Sequence, residues 1–183
     1  MAMKIAISGK MGSGKTTLTN EILRQLQAQN KQGERLSLAD PVKEVARNYF
    51  LMPAHEKDRA LLQKIGQQFR AIRASVWIDL MMARAESEEV VYLCDDIRFQ
   101  NELDAVSADG WISIRLEVSE SEQKRRLQEA YGDSWELHWQ NRNEISETNL
   151  DGCEERFDMV LTDLTLEDVP VVVENLLAQG CVA

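Results

Sequence analysis

Gly9-Lys10-Met11-Gly12-Ser13-Gly14-Lys15-Thr16 has the form G-x-x-x-x-G-K-[ST] and stands directly between a short apolar run and an amphipathic stretch. That pattern, in that context, builds a phosphate-holding loop. Its glycines open backbone conformations closed to other residues, so successive N–H groups turn inward toward phosphate oxygens. The helix that follows adds the positive end of its dipole. Met11, Gly12, Ser13, Gly14, Lys15, Thr16 and Thr17 would line the polyphosphate, with Lys15 on the β and γ phosphates and Thr16 on magnesium. The loop implies a nucleoside triphosphate but not its fate. Phosphoryl transfer, GTPase switching and ATP-driven motion all use it.

Phosphoryl transfer is mostly positioning and charge neutralisation, so an acid near the metal and cations near the acceptor are required. Asp95 and Asp96 follow the apolar run 90–94, at the strand end where open α/β sheets place ligands. The competing reading is a solvated strand end with a helix cap. Arg98 stands four residues before Glu102, a helical ion-pair spacing. Its closeness to the aspartates favours a substrate phosphate instead. Arg70 and Arg73, three apart, share a helix face that is either a wet charged surface or a ligand surface. Lys43 carries the same two readings, and Asp40 before Pro41 reads as a helix N-cap. His55 and His138 have no partner at metal-ligand spacing and read as surface histidines.

The elements that must position these groups follow from periodicity. Residues 4–8 (KIAIS) form a strand, and 14–29 a helix with Leu or Ile at 18, 22, 23 and 26. A second strand is predicted over 34–38, a helix over 42–50 and helical spacing through 58–86. The run 90–94 (VVYLC) is apolar throughout, as in a parallel sheet covered on both faces. A strand over 111–118 ends at Ser119, whose spacing to Glu122 predicts a capping box. Residues 159–161 form a last strand, and Thr165 with Asp168 predicts a second box before a helix ending near 177. Strands alternating with helices imply a three-layer α/β fold with right-handed crossovers. Residues 131–149 read as one irregular insert.

With 183 residues, 44% hydrophobic and 28% charged, the chain fits a single folded domain. A net charge of -10 excludes the basic footprint of a nucleic-acid binder. No run approaches the ~18 apolar residues of a membrane span. Cys94, Cys153 and Cys181 are an odd count without zinc spacing, and no charged-then-apolar leader precedes the first strand. Reduced thiols and a cytoplasmic location are the expectation.

SLADPVKEV around Asp40 and Lys43, LLQKIGQQFR ending at Arg70 and followed by Trp77, Asp96-Ile97-Arg98-Phe99 with Glu102, and Ser146-Glu147 together resemble the bacteriophage-type deoxynucleoside monophosphate kinases. The likeness runs from the phosphate loop to the last strand. It implies a P-loop kinase fold with five parallel strands in order 2-3-1-4-5, spanning 1–183, with a substrate-binding helical region over about 41–88 and a lid over about 131–149. It also implies transfer of the ATP γ-phosphoryl to a deoxynucleoside monophosphate with Mg2+. Asp96 would organise magnesium with Thr16, Arg70 and Arg98 would clamp the acceptor phosphate, and Lys43, Trp77 and Asp40 would line its pocket. Arg126, Arg142 and Arg125 are the arginines a lid would bring over the transferring group. The first and last of these also read as charges complementing the later part of their helix. Similar lids often carry a histidine shortly before the Ser-Glu pair, where this chain has Asn143-Glu144-Ile145.

Two other activities keep the loop. One is a kinase of another small acceptor, such as a coenzyme A precursor or phosphomevalonate. The other is a nucleotide-dependent switch or ATPase acting on a protein partner. Neither a monomer nor a homodimer is excluded.

Overall fold

The computed structural model describes residues 3–56 and 58–179. In chain order its elements are β1 (Lys4–Gly9), α1 (Lys15–Ala28), β2 (Gln32–Leu36), α2 (Ala39–Phe50), α3 (Arg59–Ile72), α4 (Val76–Met82), β3 (Val90–Ile97), α5 (Gln100–Ala108), β4 (Ile112–Glu117), α6 (Glu120–Tyr131), α7 (Trp135–Gln140), α8 (Ile145–Thr148), β5 (Met159–Thr162) and α9 (Val169–Gln179). The strands form one parallel sheet in order β2-β3-β1-β4-β5, flanked by helices. This is the P-loop kinase fold.

Two compact units divide the chain: one holds everything up to Arg35 and from Ser87 onward, the other Leu36–Glu86. In the first, β1 is the central strand, and Ile5, Ala6 and Ile7 are almost wholly buried on both of its faces. Leu18, Ile22 and Leu26 of α1, spaced by four, turn one stripe into the core. Val169, Val173, Leu176 and Leu177 of α9 join the same cluster with Leu93, Ile114 and Leu116 of the sheet. Each such side chain contributes about 1.5–3 kcal/mol by leaving water. In the order β2-β3-β1-β4-β5 the chain leaves β1 toward β2 on one side, whereas it leaves the neighbouring β4 toward β5 on the other. The crevice at the carboxyl end of β1 is thus a topological switch point, where such sheets bind ligands.

In the second unit α2, α3 and α4 pack on one another. Asp58 caps α3 through Leu61 N–H at 2.9 Å. Trp77 seals the unit, with its indole N–H donating to Gly66 O at 3.1 Å and its ring stacked on Phe69 at 5.1 Å.

Several local expectations change. β2 lies two residues earlier than the predicted 34–38, because a polar edge strand with only Leu36 buried carries no alternation to set its ends. Asp40 is not an N-cap: α2 starts at Ala39, Ser37 Oγ accepts the Ala39 N–H at 3.1 Å, and Asp40 lies in the first turn paired with Lys43 at 2.7 Å. The helical stretch 58–86 is two helices, broken where Arg73 turns extended. β3 runs on to Ile97, so Asp95 and Asp96 are part of the strand rather than a tail after it. The insert 131–149 is a run of short helical turns rather than irregular chain.

The box predicted at Ser119 does not form, since Arg125 and Arg126 take the Glu122 carboxylate at 2.6–2.8 Å. The one at Thr165 does. Its hydroxyl donates to Asp168 Oδ2 at 2.5 Å and accepts the Asp168 N–H at 3.3 Å, just ahead of α9. Cys94 and Cys153 are buried free thiols, and Cys181 lies outside the described residues. Replacing Thr165 by Ala should cost about 1 kcal/mol, read as a lower urea midpoint with unchanged slope.

Candidate active site

The loop between β1 and α1 holds glycines where the chain requires them. At Gly9, φ is 155° and an added Cβ would stand 2.4 Å from Ser13 Oγ and 2.7 Å from Leu116 O. Gly14, at φ 100°, opens α1, and among the described residues no side chain caps the first turn of that helix. Its amides and dipole are left to a ligand. Thr16 and Thr17 are exposed at the mouth.

Lys15 is half-buried with its ammonium turned inward, and Nζ donates to Gly9 O at 2.5 Å and Lys10 O at 2.8 Å. Desolvation, then the charge of Arg98, lower its pKa from 10.5 to about 8, against the opposing pull of Glu147 and Asp95. Asp95, 3% exposed, accepts from Thr19 Oγ1 of α1 at 3.3 Å and from Arg35 Nη2 at 2.8 Å. Asp96 is half-buried and accepts the Cys94 thiol at 3.2 Å. The carboxylate that acts on Lys15 from this strand is therefore Asp95.

Arg98 does not pair with Glu102. Glu102 instead accepts the backbone N–H groups of Arg98 and Phe99, at 2.9 and 3.1 Å, at the start of α5. The Arg98 guanidinium goes to Glu147, with Ser146 O at 3.4 Å, and the other Glu147 oxygen accepts the Met11 N–H at 2.7 Å. Arg126 meets the loop from α6: Nη1 donates to Ser13 O at 3.2 Å, Nη2 to Leu164 O at 2.9 Å, and Nε to Glu122 at 2.8 Å. Between the loop, α6 and the turn 163–167 lies a cavity of about 1030 Å³ lined by Gly12–Thr17, Arg125, Arg126 and Leu164. It has room for a nucleoside.

Lys15, Asp95, Arg98 and Arg126 thus converge on the loop. Arg125 stays exposed with Glu122 and Glu129, and Arg142 lies over Trp139 at 4.6 Å while donating to Trp139 O at 3.0 Å. Trp135 is covered by Lys124 of α6 at 5.1 Å, and His138 stacks on Tyr131 at 3.7 Å. Asp40, Lys43, Arg70 and Trp77 belong to the helical unit, where Trp77 is 1% exposed and Asp40 and Lys43 pair with each other.

Two residues of this neighbourhood have no place in the sequence reading. Arg115 of β4, almost fully buried, donates to Ser8 Oγ and to Asp151 Oδ1, both at 3.2 Å, while Lys10 holds the other Asp151 oxygen at 2.8 Å. A charge at a buried position of the strand WISIRLEV was the available signal for Arg115. Asp151 carried none.

Among the described residues no three His, Cys, Asp or Glu side chains cluster closely enough to hold a metal. The donor set near the loop, one threonine hydroxyl and strand carboxylates, fits a magnesium ion carried mainly by phosphate oxygens. No helix of the described residues is long and apolar enough to cross a membrane.

A family model described as an AAA domain matches residues 5–150, four-fifths of the chain, from the first strand through the loop to the end of the insert. The chain belongs to the AAA domain family. No curated protein matches the chain. Among solved structures it is similar to TT1252 from Thermus thermophilus, at 19% identity and TM-score 0.60 over 97% of each chain. It is also similar to shikimate kinase from Acinetobacter baumannii, at 11% and 0.52 over 98% of this chain and 93% of that one. A gluconokinase from Sinorhizobium meliloti matches at 17% and 0.52 over 97% of each. At these identities the likeness of the chain to them is one of fold.

The buried ammonium of Lys15 has a measurable effect. Its pKa is lower folded than unfolded, so between about pH 8 and 10.5 the unfolded chain binds more protons and stability rises with pH. Below pH 8 the folded state carries the full penalty, about 3 kcal/mol. Lys15→Met should therefore raise the melting temperature of the nucleotide-free chain at pH 7. That gain should shrink as the pH climbs through 8 toward 10.5, followed by circular dichroism.

Proposed function

We propose that the chain is a magnesium-dependent kinase that moves the γ-phosphoryl of ATP to a deoxynucleoside monophosphate, giving ADP and the diphosphate. The observation that carries this reading is the convergence of Lys15, Arg98 and Arg126 on a glycine cradle whose helix N-terminus no side chain caps. The fold shared with solved shikimate kinase and gluconokinase supports phosphoryl transfer to a small acceptor. The resemblance of the Asp96–Glu102 and Arg70 segments to deoxynucleoside monophosphate kinases supports the choice of acceptor.

In this reading the triphosphate lies along residues 11–17 and its nucleoside fills the cavity beside Arg126. Magnesium, when bound, neutralises charge on the β and γ phosphates. Thr16 and the Asp95-Asp96 pair are the residues that would hold it, with Asp95 on the Lys15 side. An ionised oxygen of the acceptor phosphate attacks the γ-phosphorus, and the bond to the β–γ bridging oxygen breaks. The attacking group of a monophosphate has a pKa near 6 and is already ionised at neutral pH, so no general base is needed. Lys15 follows the charge that moves onto the β-phosphate, and Arg98 holds the acceptor. By the same resemblance Asp40, Lys43 and Arg70 would contact the acceptor, whereas Trp77, 1% exposed, packs inside its own helical unit. The insert 131–149, bearing Arg142, closes over the reaction and keeps out water, a competing acceptor.

An acceptor panel of all common ribo- and deoxynucleoside monophosphates, with shikimate and gluconate as hydroxyl acceptors, read by ADP release, tests the assignment. Turnover only with a hydroxyl acceptor, or equal hydrolysis with none, would overturn it. Lys15→Ala should lower kcat at least a hundredfold, a loss typical of removing a group that stabilises transition-state charge. Arg98→Ala should raise KM for the monophosphate at least tenfold more than KM for ATP, checked by steady-state kinetics with each substrate varied in turn.

A further inference from the structure

Glu147 is a charged side chain only 6% exposed in a segment otherwise made of short surface turns. Its two oxygens are divided: one takes the Arg98 guanidinium, the other the Met11 N–H of the phosphate loop at 2.7 Å. A carboxylate so placed has lost most of its hydration, which only well-made charge-assisted bonds offset.

The segment that carries it is fastened at every second residue. Asn149 Oδ1 accepts the Gln100 N–H at 2.9 Å and Asn149 O accepts Gln100 Nε2 at 3.1 Å. Asp151 is held by Lys10 at 2.8 Å and by Arg115 at 3.2 Å. Leu150 between them is buried. Residues 147–151 are therefore a strap bound to the loop, β4 and the start of α5, and Glu147 is a rigid part of it.

The effect on Arg98 is specific. Its Nη1 is taken by Glu147 and Ser146 O, whereas among the described residues its Nε and Nη2 have no hydrogen-bond partner, and the side chain remains 37% exposed. Nε and Nη2 form the side-on edge of the guanidinium, the pair of parallel N–H groups that grips a phosphate bidentately.

We propose that Glu147 is a positioning residue for Arg98: anchored through the strap and the Met11 amide, it fixes one corner of the guanidinium and leaves the side-on edge set for the phosphate of the acceptor. This rests on the reading of Arg98 as the acceptor's ligand. Glu147 touches neither substrate. It also links the loop that holds the donor to the arginine that holds the acceptor through a single carboxylate, so the two phosphate sites keep a constant relation.

Glu147→Gln, which keeps size and an acceptor for Met11 but loses the charge, should raise KM for the monophosphate about tenfold, the scale of one charge-assisted hydrogen bond. KM for ATP should stay within about twofold or fall. In an Arg98→Ala background the same substitution should add less than about twofold, because there is no guanidinium left to position. A tenfold penalty that multiplies onto Arg98→Ala, or an unchanged monophosphate KM in the single variant, overturns the role.

A second measurement needs no turnover. In 15N spectra of the full wild-type chain, with Arg98 assigned through Arg98→Lys, a held guanidinium shows separate Nη signals from slowed rotation about Nε–Cζ. Averaged Arg98 signals would overturn the positioning role whatever the acceptor proves to be. A failed acceptor panel with separate signals would overturn the kinase reading alone.

Discussion

A buried ammonium without a permanent counter-ion is the constraint around which this site is arranged. Lys15 rests on two loop carbonyls, which are dipoles and not charges, and Arg98 stands close enough to depress its pKa. Two cations pressed together in a partly desolvated crevice repel strongly. The neighbourhood therefore needs acids, but acids engaged elsewhere than on Lys15. Asp95 is taken up by Arg35 and Thr19, Asp151 by Lys10 and Arg115, and Glu147 by Arg98 and a loop amide. None of them closes a direct pair with Lys15 among the described residues, so its charge is left for an incoming anion. The protein as a whole carries a net charge of -10, and in the proposed function the fixed amides and cations of this crevice would outweigh that distant average for a phosphate.

The sheet supplies the rigidity that such close charges demand. β1 is enclosed by β3 and β4, so the backbone leading into the loop is held along both edges, and Gly9 passes against Leu116 too closely to admit any side chain. Arg115 sits beside Ser8 in the register of β4 on β1 and donates to its hydroxyl from within the sheet. Burying a guanidinium there costs desolvation. What it stabilises is the placement of Asp151, and with it Lys10, at the rim of the cradle.

The parts of this arrangement that were legible in the sequence are those encoded locally. The glycine spacing, the apolar runs of β1 and β3 and the stripe of α1 each report a conformation set by neighbours within a few residues, and strand order followed from resemblance to a known fold. β2 failed because an exposed edge has no alternation to lose, and the box at Ser119 failed because two arginines one turn on compete for its glutamate. The partner of Glu147 lies 136 residues away at Met11, and no spacing rule reaches that far. The Ser146-Glu147 pair could be noticed as a motif, but its task was readable only once the chain had folded the two ends of the site together. Arg126 shows the same limit from the other side: the structure places it before the last turn of α6, away from the dipole's end, and no helical spacing told of the loop carbonyl it grips.

That grip has a temporal side. Arg126 ties Ser13, near the beginning of the chain, to Leu164, just beyond the final strand. The cradle is synthesised 113 residues before Arg126, and the turn at Leu164 follows another 38 residues later, so the cavity beside the loop is walled by segments made well after it. A nascent chain therefore carries the recognisable loop long before the cavity beside it is complete, and the shape of that cavity is a property of the folded chain rather than of the motif.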